Sequence, residues 1–425
     1  MTAPTRTHNA VEAALIALFA PRNARDLRAA AMARFAARGL PTRRVEQWHY
    51  TDLRGAMRAA LPLAVAPDAA TIAAVKARLQ KAQGARAVLI DGHYVAELSQ
   101  GGEGVRLVSL GQALASDASG ELIAGFGLGG DDAAVDLNAA FMQDGALIEV
   151  AGDADIELVD VATGAVAQSS YTRSAVRLAK GARARVVETR FALGGAGHQR
   201  NAALIFDIGD LAALDHVVET RDDGEASVQT QSLMVRMGRA SRFESFALTM
   251  TGGLWRRQIF ARLDGEGAHF ALRGANLLHG RQHGDTTLVV EHNARECESR
   301  EFFRTIVDDE ATGVFQGKIV VQSHAQKTDG AMKSNALLLR DGAGMFNKPE
   351  LEIFADDVSC GHGATVAQLD EAQLFYAQAR GIPRRIAEAM LVEAFAGEAV
   401  DYVGDEALRE RFRAEIHDWL AGRDA

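Results

Sequence analysis

Cysteine is scarce in this sequence. Only two cysteines, Cys297 and Cys360, occur among 425 residues, which is too few for a disulfide framework. Residues 1–20 have no basic start followed by an apolar run and a cleavage site, so we expect no secretory signal and a reducing, cytoplasmic setting. The longest apolar runs fall well short of the ~20 residues that cross a bilayer. The sequence therefore predicts no membrane span.

Positive charge is also in deficit. The 46 Lys and Arg residues are outnumbered by 56 Asp and Glu residues, which gives a formal net charge of −10. A negative chain without a basic block interleaved with aromatics repels a phosphate backbone, so we expect no nucleic-acid partner. A complete GxxxxGKS/T phosphate-binding loop is missing as well. Any nucleotide chemistry is therefore expected to come from another subunit.

Proline is missing between Pro67 and Pro349, as expected where nearly every backbone amide serves a sheet ladder. Within this region a small residue followed by an apolar strand recurs at intervals of 28, 31, 27 and 28 positions. Such a period is typical of stacked units, and turn pairs of the Asn-Gly and Asp-Gly type are too few for a sandwich of hairpins. The small residues of the series are Ala154, Ala182, Ala213, Ala240 and Ala268.

The predicted fold is mainly β with helical ends. Its core is a right-handed parallel β-helix (β-solenoid) at residues 91–366, between an N-terminal helical domain at 1–90 and a C-terminal helical domain at 367–425. Three amphipathic patterns after Asp370 predict the C-terminal domain. Their apolar faces could close on one another or dock another protein, and the pattern alone leaves both open.

The next small residue of the series, Ala311, follows Ala268 by 43 positions. The interval indicates either an inserted functional loop or a longer coil, and we favour the longer coil. It contains His279, His283, His292 and Cys297. For His292 and Cys297 we expect a solvent-facing loop.

The sharpest candidate site is the pair Cys360 and His362. An alternating apolar pattern from Leu351 predicts a strand here, and two residues that differ by two positions face the same side of a strand. Thiolate and imidazole are suitable ligands for iron, zinc or an iron-sulfur unit. Two ligands do not complete a metal site, so another subunit must supply the remaining ligands. The residues alone are also compatible with an alternative interpretation, a structural cysteine beside an ordinary histidine. A Cys-His hydrolase is disfavoured because parallel neighbours on one strand reach each other poorly.

Several separate blocks resemble one protein family, and they stand in a fixed order. They are FQGKI at 315–319, AQKTD at 325–329, LEIFADDV at 351–358, CGHGAT at 360–365, LFY at 374–376 and RGI at 380–382. The chain is thereby similar to the SufB/SufD family of the SUF system, whose SufBCD complex assembles iron-sulfur clusters. The Cys-x-His-Gly form, and an alanine at Ala343 where SufB carries a cysteine, favour the SufD type. Glu46, Trp48 and Tyr50 resemble the family's N-terminal pattern, and we expect Trp48 and Tyr50 to anchor a helical cap.

The resemblance implies a non-catalytic subunit that pairs with SufB through the β-helix and binds the ATPase SufC through the C-terminal helices. Cys360 and His362 would lie at the SufB interface and help to take in iron. No cofactor is expected to bind tightly to this chain alone; iron or a cluster would be held transiently in the complex, and ATP would act through SufC. A flavin in the complex and a homodimer of the isolated chain stay open.

Further residues gain expected roles from the same resemblance. Lys327 would lie in the core near the path of sulfur, or pair with Asp329 in a turn. His292 and Cys297 loosely resemble a His-rich stretch of the family. The residues expected to bind SufC are Leu374, Phe375, Tyr376, Arg380, Ile386, Met390 and Phe395.

Two functions of other classes compete with this prediction. A β-solenoid enzyme acting on carbohydrate would align carboxylates along one face, but no Asp or Glu repeats at the spacing of the series. A purely structural homo-oligomer is the other alternative.

Overall fold

The structure is a computed structural model, and it describes residues 7–20, 25–115, 120–222 and 226–422. Helices occupy both ends of the chain. Among the described residues, seven α-helices precede residue 146: α1 Ala10–Leu18, α2 Arg25–Arg38, α3 Leu53–Ala56, α4 Ala69–Lys76, α5 Leu110–Ala115, α6 Gly120–Ala124 and α7 Ala133–Phe141. Three more follow residue 368 in the described part of the chain: α8 Glu371–Ala379, α9 Arg384–Val400 and α10 Glu406–Gly422.

Side-chain caps fix several helix starts. Asn9 accepts a hydrogen bond from the Glu12 amide at 2.8 Å, and the Glu12 carboxylate accepts one from the Asn9 amide at 2.9 Å, which forms a capping box. Asp132 caps α7 and Asp370 caps α8 in the simpler way, through one carboxylate. These polar residues satisfy amide groups that have no partner inside the helix.

The core is built from strands that alternate between two sheets. One sheet contains β1 Ala85–Ile90, β2 His93–Tyr94, β5 Asp153–Ala162, β7 Arg183–Ala192, β9 Ala213–Asp222, β11 Arg242–Thr251, β13 His269–Leu278, β15 Glu298–Val307, β17 Asp329–Leu338 and β19 Ser359–Gln368. The other contains β3 Val105–Ser109, β4 Ala146–Val150, β6 Ser169–Leu178, β8 Gln199–Ile208, β10 Val228–Met237, β12 Leu254–Leu263, β14 His283–His292, β16 Thr312–Val321 and β18 Gly344–Ile353.

From β4 and β5 onward every strand pairs in parallel with the strand two places along the chain, so each coil adds one strand to each sheet. The coils stack into about seven turns. The predicted parallel β-solenoid core with helical ends is confirmed.

The register shows that no insertion follows Ala268. Ala268 directly precedes β13, and Cys297 occupies the same position before β15. Ala311 instead precedes β16, in the other sheet. The predicted longer coil is wrong because each coil has two turns, and small residues at both turns produce two interleaved series. Cys297 and His292 are 1% and 0% exposed, so the expected solvent-facing loop is also wrong.

A left-handed backbone position recurs in the turns that lead into the ten-stranded sheet. Non-glycine residues occupy four of these positions, and a positive φ of this kind is strained for a residue with a Cβ. The amide at this position donates to a carbonyl in the next coil, as from Lys327 to Asp357 at 2.6 Å. The positions are Gly181, Leu211, Ala240, Gly267, Glu296 and Lys327.

Helices cover the outer faces of both sheets. Val135 of α7 packs with Ile205 and Met234 on the nine-stranded sheet. Phe412 of α10 packs with Phe246 on the ten-stranded sheet, beside residues of α9. Helices α5, α6 and α7 lie at 110–141, inside the range predicted for the β-helix. The sequence pattern did not predict them, because these short alanine-rich helices carry little periodic signal. No helix among the described residues combines the length and apolarity needed to cross a membrane.

The two ends of the solenoid differ. At the N-terminal end the sheets finish in the short antiparallel strands β2 and β3. At the other end they finish in β18 and β19, which have ten residues each and are half-buried or exposed along their length. We call the coil formed by β18 and β19 the open coil, because no further strand in the described part of the chain pairs with it.

Candidate functional site

Cys360 and His362 lie on β19, the edge strand of the open coil. Cys360 pairs with Gly330 and His362 with Met332 of β17. Because they differ by two positions on a strand, both side chains face the same side, and Cys360 packs against the interior core. Cys360 is half-buried, whereas His362 is exposed. The pair therefore stands where the solenoid interior meets solvent.

The space beside Cys360 is left open by a glycine. A Cβ at Gly330 would lie 3.5 Å from the Cys360 Sγ and 3.6 Å from the Ser299 Oγ. Burial raises the pKa of the Cys360 thiol, Asp329 and Glu301 raise it further, and a backbone hydrogen bond from Gly330 and the Arg300 charge oppose them. The thiol is therefore protonated at neutral pH. A soft metal must displace that proton before the sulfur can act as a ligand.

The ligand set on this chain is incomplete. Among the described residues no three His, Cys, Asp or Glu side chains are grouped so that they could hold a metal ion. A tetrahedral metal takes about four ligands. Cys360 and His362 could therefore hold iron only together with donors from elsewhere.

Lys327 pairs with a residue other than the one predicted. Its ammonium contacts the Asp357 carboxylate, while Asp329 pairs with Arg300 at 2.7 Å. The predicted pair of Lys327 with Asp329 is wrong because stacked coils bring turn residues together across the stack rather than along the chain. Lys327 serves the turn that precedes β17, two residues before that strand begins.

His292 and Cys297 are interior residues. Neither ring nitrogen of His292 has a hydrogen-bond partner among the described residues, and burial lowers the pKa of His292 to about 4. The Cys297 thiol lies 3.3 Å from the Gly265 carbonyl oxygen, and burial raises its pKa. A neutral histidine and a neutral thiol at these places fit a packing role.

The C-terminal helices present an exposed apolar surface. Four large side chains on α8 and the first turns of α9 are more than half exposed, and we call them the helical patch. Arg380 lies beside it and donates a hydrogen bond to the Tyr376 hydroxyl at 2.8 Å. Leu374 and Phe395, which the family resemblance also assigned to partner binding, pack inward. The helical patch consists of Phe375 (73%), Tyr376 (62%), Ile386 (52%) and Met390 (52%).

The segment around Trp48 fastens the N-terminal region to the solenoid. The Trp48 indole donates to Asp132 at 2.7 Å, and the Arg256 guanidinium lies 3.9 Å above its ring. The predicted anchor role of Trp48 is confirmed. Tyr50 stacks on Phe346 of β18, with 4.9 Å between ring centroids, so the cap reaches the open coil. The sequence did not reveal that contact, because residues almost 300 positions apart make it.

Comparisons with known proteins agree with this architecture. The family model "SUF system FeS cluster assembly, SufBD core domain" matches residues 160–395, and "SufBD protein N-terminal region" matches residues 10–159. The iron-sulfur cluster assembly protein SufD of Escherichia coli K12 is 30% identical over 401 residues, 90% of each chain. An iron-sulfur cluster assembly SufBD family protein of Synechocystis sp. PCC 6803 is 27% identical over 391 residues, 88% of this chain and 86% of the relative. With matches that extend from the first helix into α9, the chain belongs to the SufBD family of the SUF iron-sulfur cluster assembly system.

Proposed function

We propose that this chain is the SufD-type subunit of an iron-sulfur cluster assembly complex, without catalytic activity of its own. It pairs with SufB through the open coil and binds SufC through the helical patch. The observation that carries the proposal is the position of Cys360 and His362 on an edge strand with an incomplete ligand set.

Pairing through the open coil follows from its unpaired backbone. Exposed edge strands of ten residues present a row of free amide and carbonyl groups, and another chain can satisfy them by adding strands. The SufB solenoid is the partner of matching architecture that the family resemblance implies. Its arrival would bury β18 and β19 and bring donors next to Cys360 and His362.

Iron is the cargo of this interface rather than a resident cofactor. Cys360 supplies a soft sulfur ligand and His362 a borderline nitrogen ligand. Burial keeps the free thiol protonated, so the sulfur becomes a ligand when metal arrives and its proton leaves. The residues of this chain would thus hold half of a site that is complete in the complex.

Docking of SufC accounts for the helical patch. Four large apolar side chains on neighbouring helices are exposed, and apolar surface of this kind marks interaction sites. Arg384 of α9 pairs with Glu371 of α8 at 2.8 Å and with Glu388 of its own helix at 2.8 Å. The pair with Glu371 joins the two helices, so they present the patch together. Because the sequence lacks a phosphate-binding loop, ATP would be bound by SufC.

Co-purification with SufB and SufC tests the metal site. Cys360→Ala and His362→Ala are expected to leave the complex intact and to lower its iron and acid-labile sulfide content. Cys297→Ala is the matched control, because alanine occupies the equivalent position at Ala182 and Ala268, and it should keep the wild-type content. Unchanged iron in both site variants would contradict the assigned role, and failure of the wild-type chain to form a complex would contradict the proposed partners.

The helical patch has its own test. Phe375→Asp should abolish recovery of SufC and retain SufB, since a charge in an apolar contact is strongly unfavourable. Val65→Asp is the control, because Val65 is 78% exposed and lies in the N-terminal region. Equal recovery of SufC with both variants would show that SufC binds elsewhere.

A further inference from the structure

The interior of the solenoid contains a buried arginine that forms no ion pair with any described residue. Arg257 of β12 points inward and is 1% exposed. Its Nε and Nη1 atoms have no hydrogen-bond partner among the described residues. Its Nη2 atom donates to the Ser245 hydroxyl at 3.5 Å, which is a long contact. A buried charge is costly unless it is paired and hydrogen-bonded.

Other buried arginines of the chain are better satisfied. Arg256, the neighbour of Arg257, points outward, pairs with Asp285 and donates to the Gln47 carbonyl oxygen at 2.6 Å. Arg173 donates to the Ile123 carbonyl oxygen at 2.5 Å and to Asn138 at 2.9 Å. Arg257 therefore makes fewer hydrogen bonds than either of these two arginines.

The Glu188 carboxylate, which interacts electrostatically with Arg257, is occupied by other groups. Glu188 accepts hydrogen bonds from Arg190 at 2.5 Å and from the Gln231 amide at 3.3 Å, and it contacts the His216 ring at 3.2 Å. Burial is the largest influence on His216 and lowers its pKa, so the ring is neutral at pH 7. A neutral ring can accept from Ser245 through Nδ1 at 3.1 Å, which leaves that hydroxyl able to receive the Arg257 donor.

The buried charged groups around Glu188 have an excess of one positive charge. Two carboxylates face three guanidinium groups, and the second carboxylate, Asp160, is engaged by Arg200 at 2.9 Å and Arg190 at 3.5 Å. The carboxylates are Asp160 and Glu188, and the guanidinium groups are Arg190, Arg200 and Arg257.

A second unpartnered donor stands next to Arg257. Thr286 of β14 is its partner in the strand ladder, so the two side chains point the same way. The Thr286 hydroxyl is buried and has no hydrogen-bond partner among the described residues. The Arg257 Nε and Nη1 atoms and the Thr286 hydroxyl are thus buried on neighbouring strands without a partner. On the other side of Arg257 in the ladder, the Gln231 Oε1 atom also has no hydrogen-bond partner among the described residues.

We propose that Arg257 and Thr286 bind one small monovalent anion, of the size of chloride, inside the solenoid. The anion would accept hydrogen bonds from Nε and Nη1 of Arg257 and from the Thr286 hydroxyl. It would also cancel the excess positive charge of the cluster. The site lies on β12 and β14, away from the edge strands, so it is separate from the proposed iron site.

Bromide in place of chloride tests the proposal directly. Crystals of the full-length chain grown in bromide should show an anomalous peak within hydrogen-bond distance of the Arg257 guanidinium. Density without an anomalous signal at that position would identify water and would overturn the proposal. This measurement uses the wild-type chain, so it does not depend on whether a variant folds.

Unfolding equilibria provide the second test. At constant ionic strength, replacing gluconate by chloride at ten times the dissociation constant should raise the wild-type folding equilibrium constant about 11-fold. The gain should vanish in Arg257→Met and shrink in Thr286→Val, and it should persist in Arg281→Gln, whose side chain is 90% exposed. An equal chloride response in wild type and Thr286→Val, together with no bromide peak, would refute the anion site.

Discussion

Glu301 makes the stability of this protein depend on pH in an unusual direction. It lies on β15, between Leu272 and Met332 in the strand ladder, and it is 1% exposed. Neither carboxyl oxygen has a hydrogen-bond partner among the described residues. Burial raises the pKa of Glu301 to about 8, and Ser299 and Arg300 counteract only part of that effect. The folded protein therefore contains a neutral carboxylic acid at pH 7.

The sign of the effect follows from proton binding. Between the unfolded pKa of 4.5 and the folded pKa of about 8, the folded state binds more protons at Glu301 than the unfolded state. Stability therefore falls as pH rises through this window. Each pKa unit corresponds to about 1.4 kcal/mol, so the full window amounts to roughly 5 kcal/mol. Below this window Glu301 contributes no pH dependence.

The variant Glu301→Gln removes the titration and retains the size of the side chain. We expect its unfolding free energy to be close to that of wild type near pH 5, and to exceed it by about 3–5 kcal/mol near pH 8. Urea unfolding of both proteins across this pH range, followed by circular dichroism, measures the difference. Glu103→Gln, at an exposed position, is the control and should show no such trend. A difference between Glu301→Gln and wild type that stays constant from pH 5 to pH 8 would refute the reasoning.

Three further substitutions test the packing, the turns and the surface charges. Trp48→Ala should lower the unfolding free energy by about 3–5 kcal/mol, because the buried ring of Trp48 joins the cap to the solenoid. Trp48→Phe should recover most of this loss in the same urea titration. Leu211→Gly should raise the unfolding free energy by roughly 0.5 kcal/mol, because φ is +62° there and glycine relieves the strain. The gain should appear as a higher midpoint of thermal unfolding, and Leu211→Ala should bring no gain. Hydrogen bonding to Glu244, aided by Glu298, raises the pKa of His269. His269→Gln should therefore lower the unfolding free energy by up to about 1 kcal/mol below pH 6.5, and by progressively less as pH rises through the folded pKa. An equal loss at all pH values would contradict the ion pairs.

The repeat could be predicted from the sequence, but its register could not. Ala182 and Ala268 do precede strands, whereas Ala154 and Ala213 lie within strands and Ala240 is a left-handed turn residue. A small residue fits for different reasons: close stacking before a strand at Ala182 and Ala268, a place against the interior core at Ala154, and a tight turn at Ala240. Their average spacing therefore reports the coil length correctly while the individual positions mislead.

The candidate pair was predictable because its geometry is local. A spacing of two on a strand sets the facing of Cys360 and His362 without reference to the rest of the fold. The interior charges were not predictable in this way. Arg257 stands next to Arg256, and Glu301 next to Arg300, in strands whose two faces are both largely buried, so nothing in the pattern distinguishes an inward charge from an outward one.

The unequal ends of the solenoid limit how far association can proceed. Strands of ten residues are offered at β18 and β19, while β2 and β3 offer two and five residues. A filament requires adhesive surfaces at both ends of each unit. Joining two solenoids through their long edges consumes both of them and leaves only the short antiparallel ends outside. Growth by strand addition along this route would therefore stop at two solenoids.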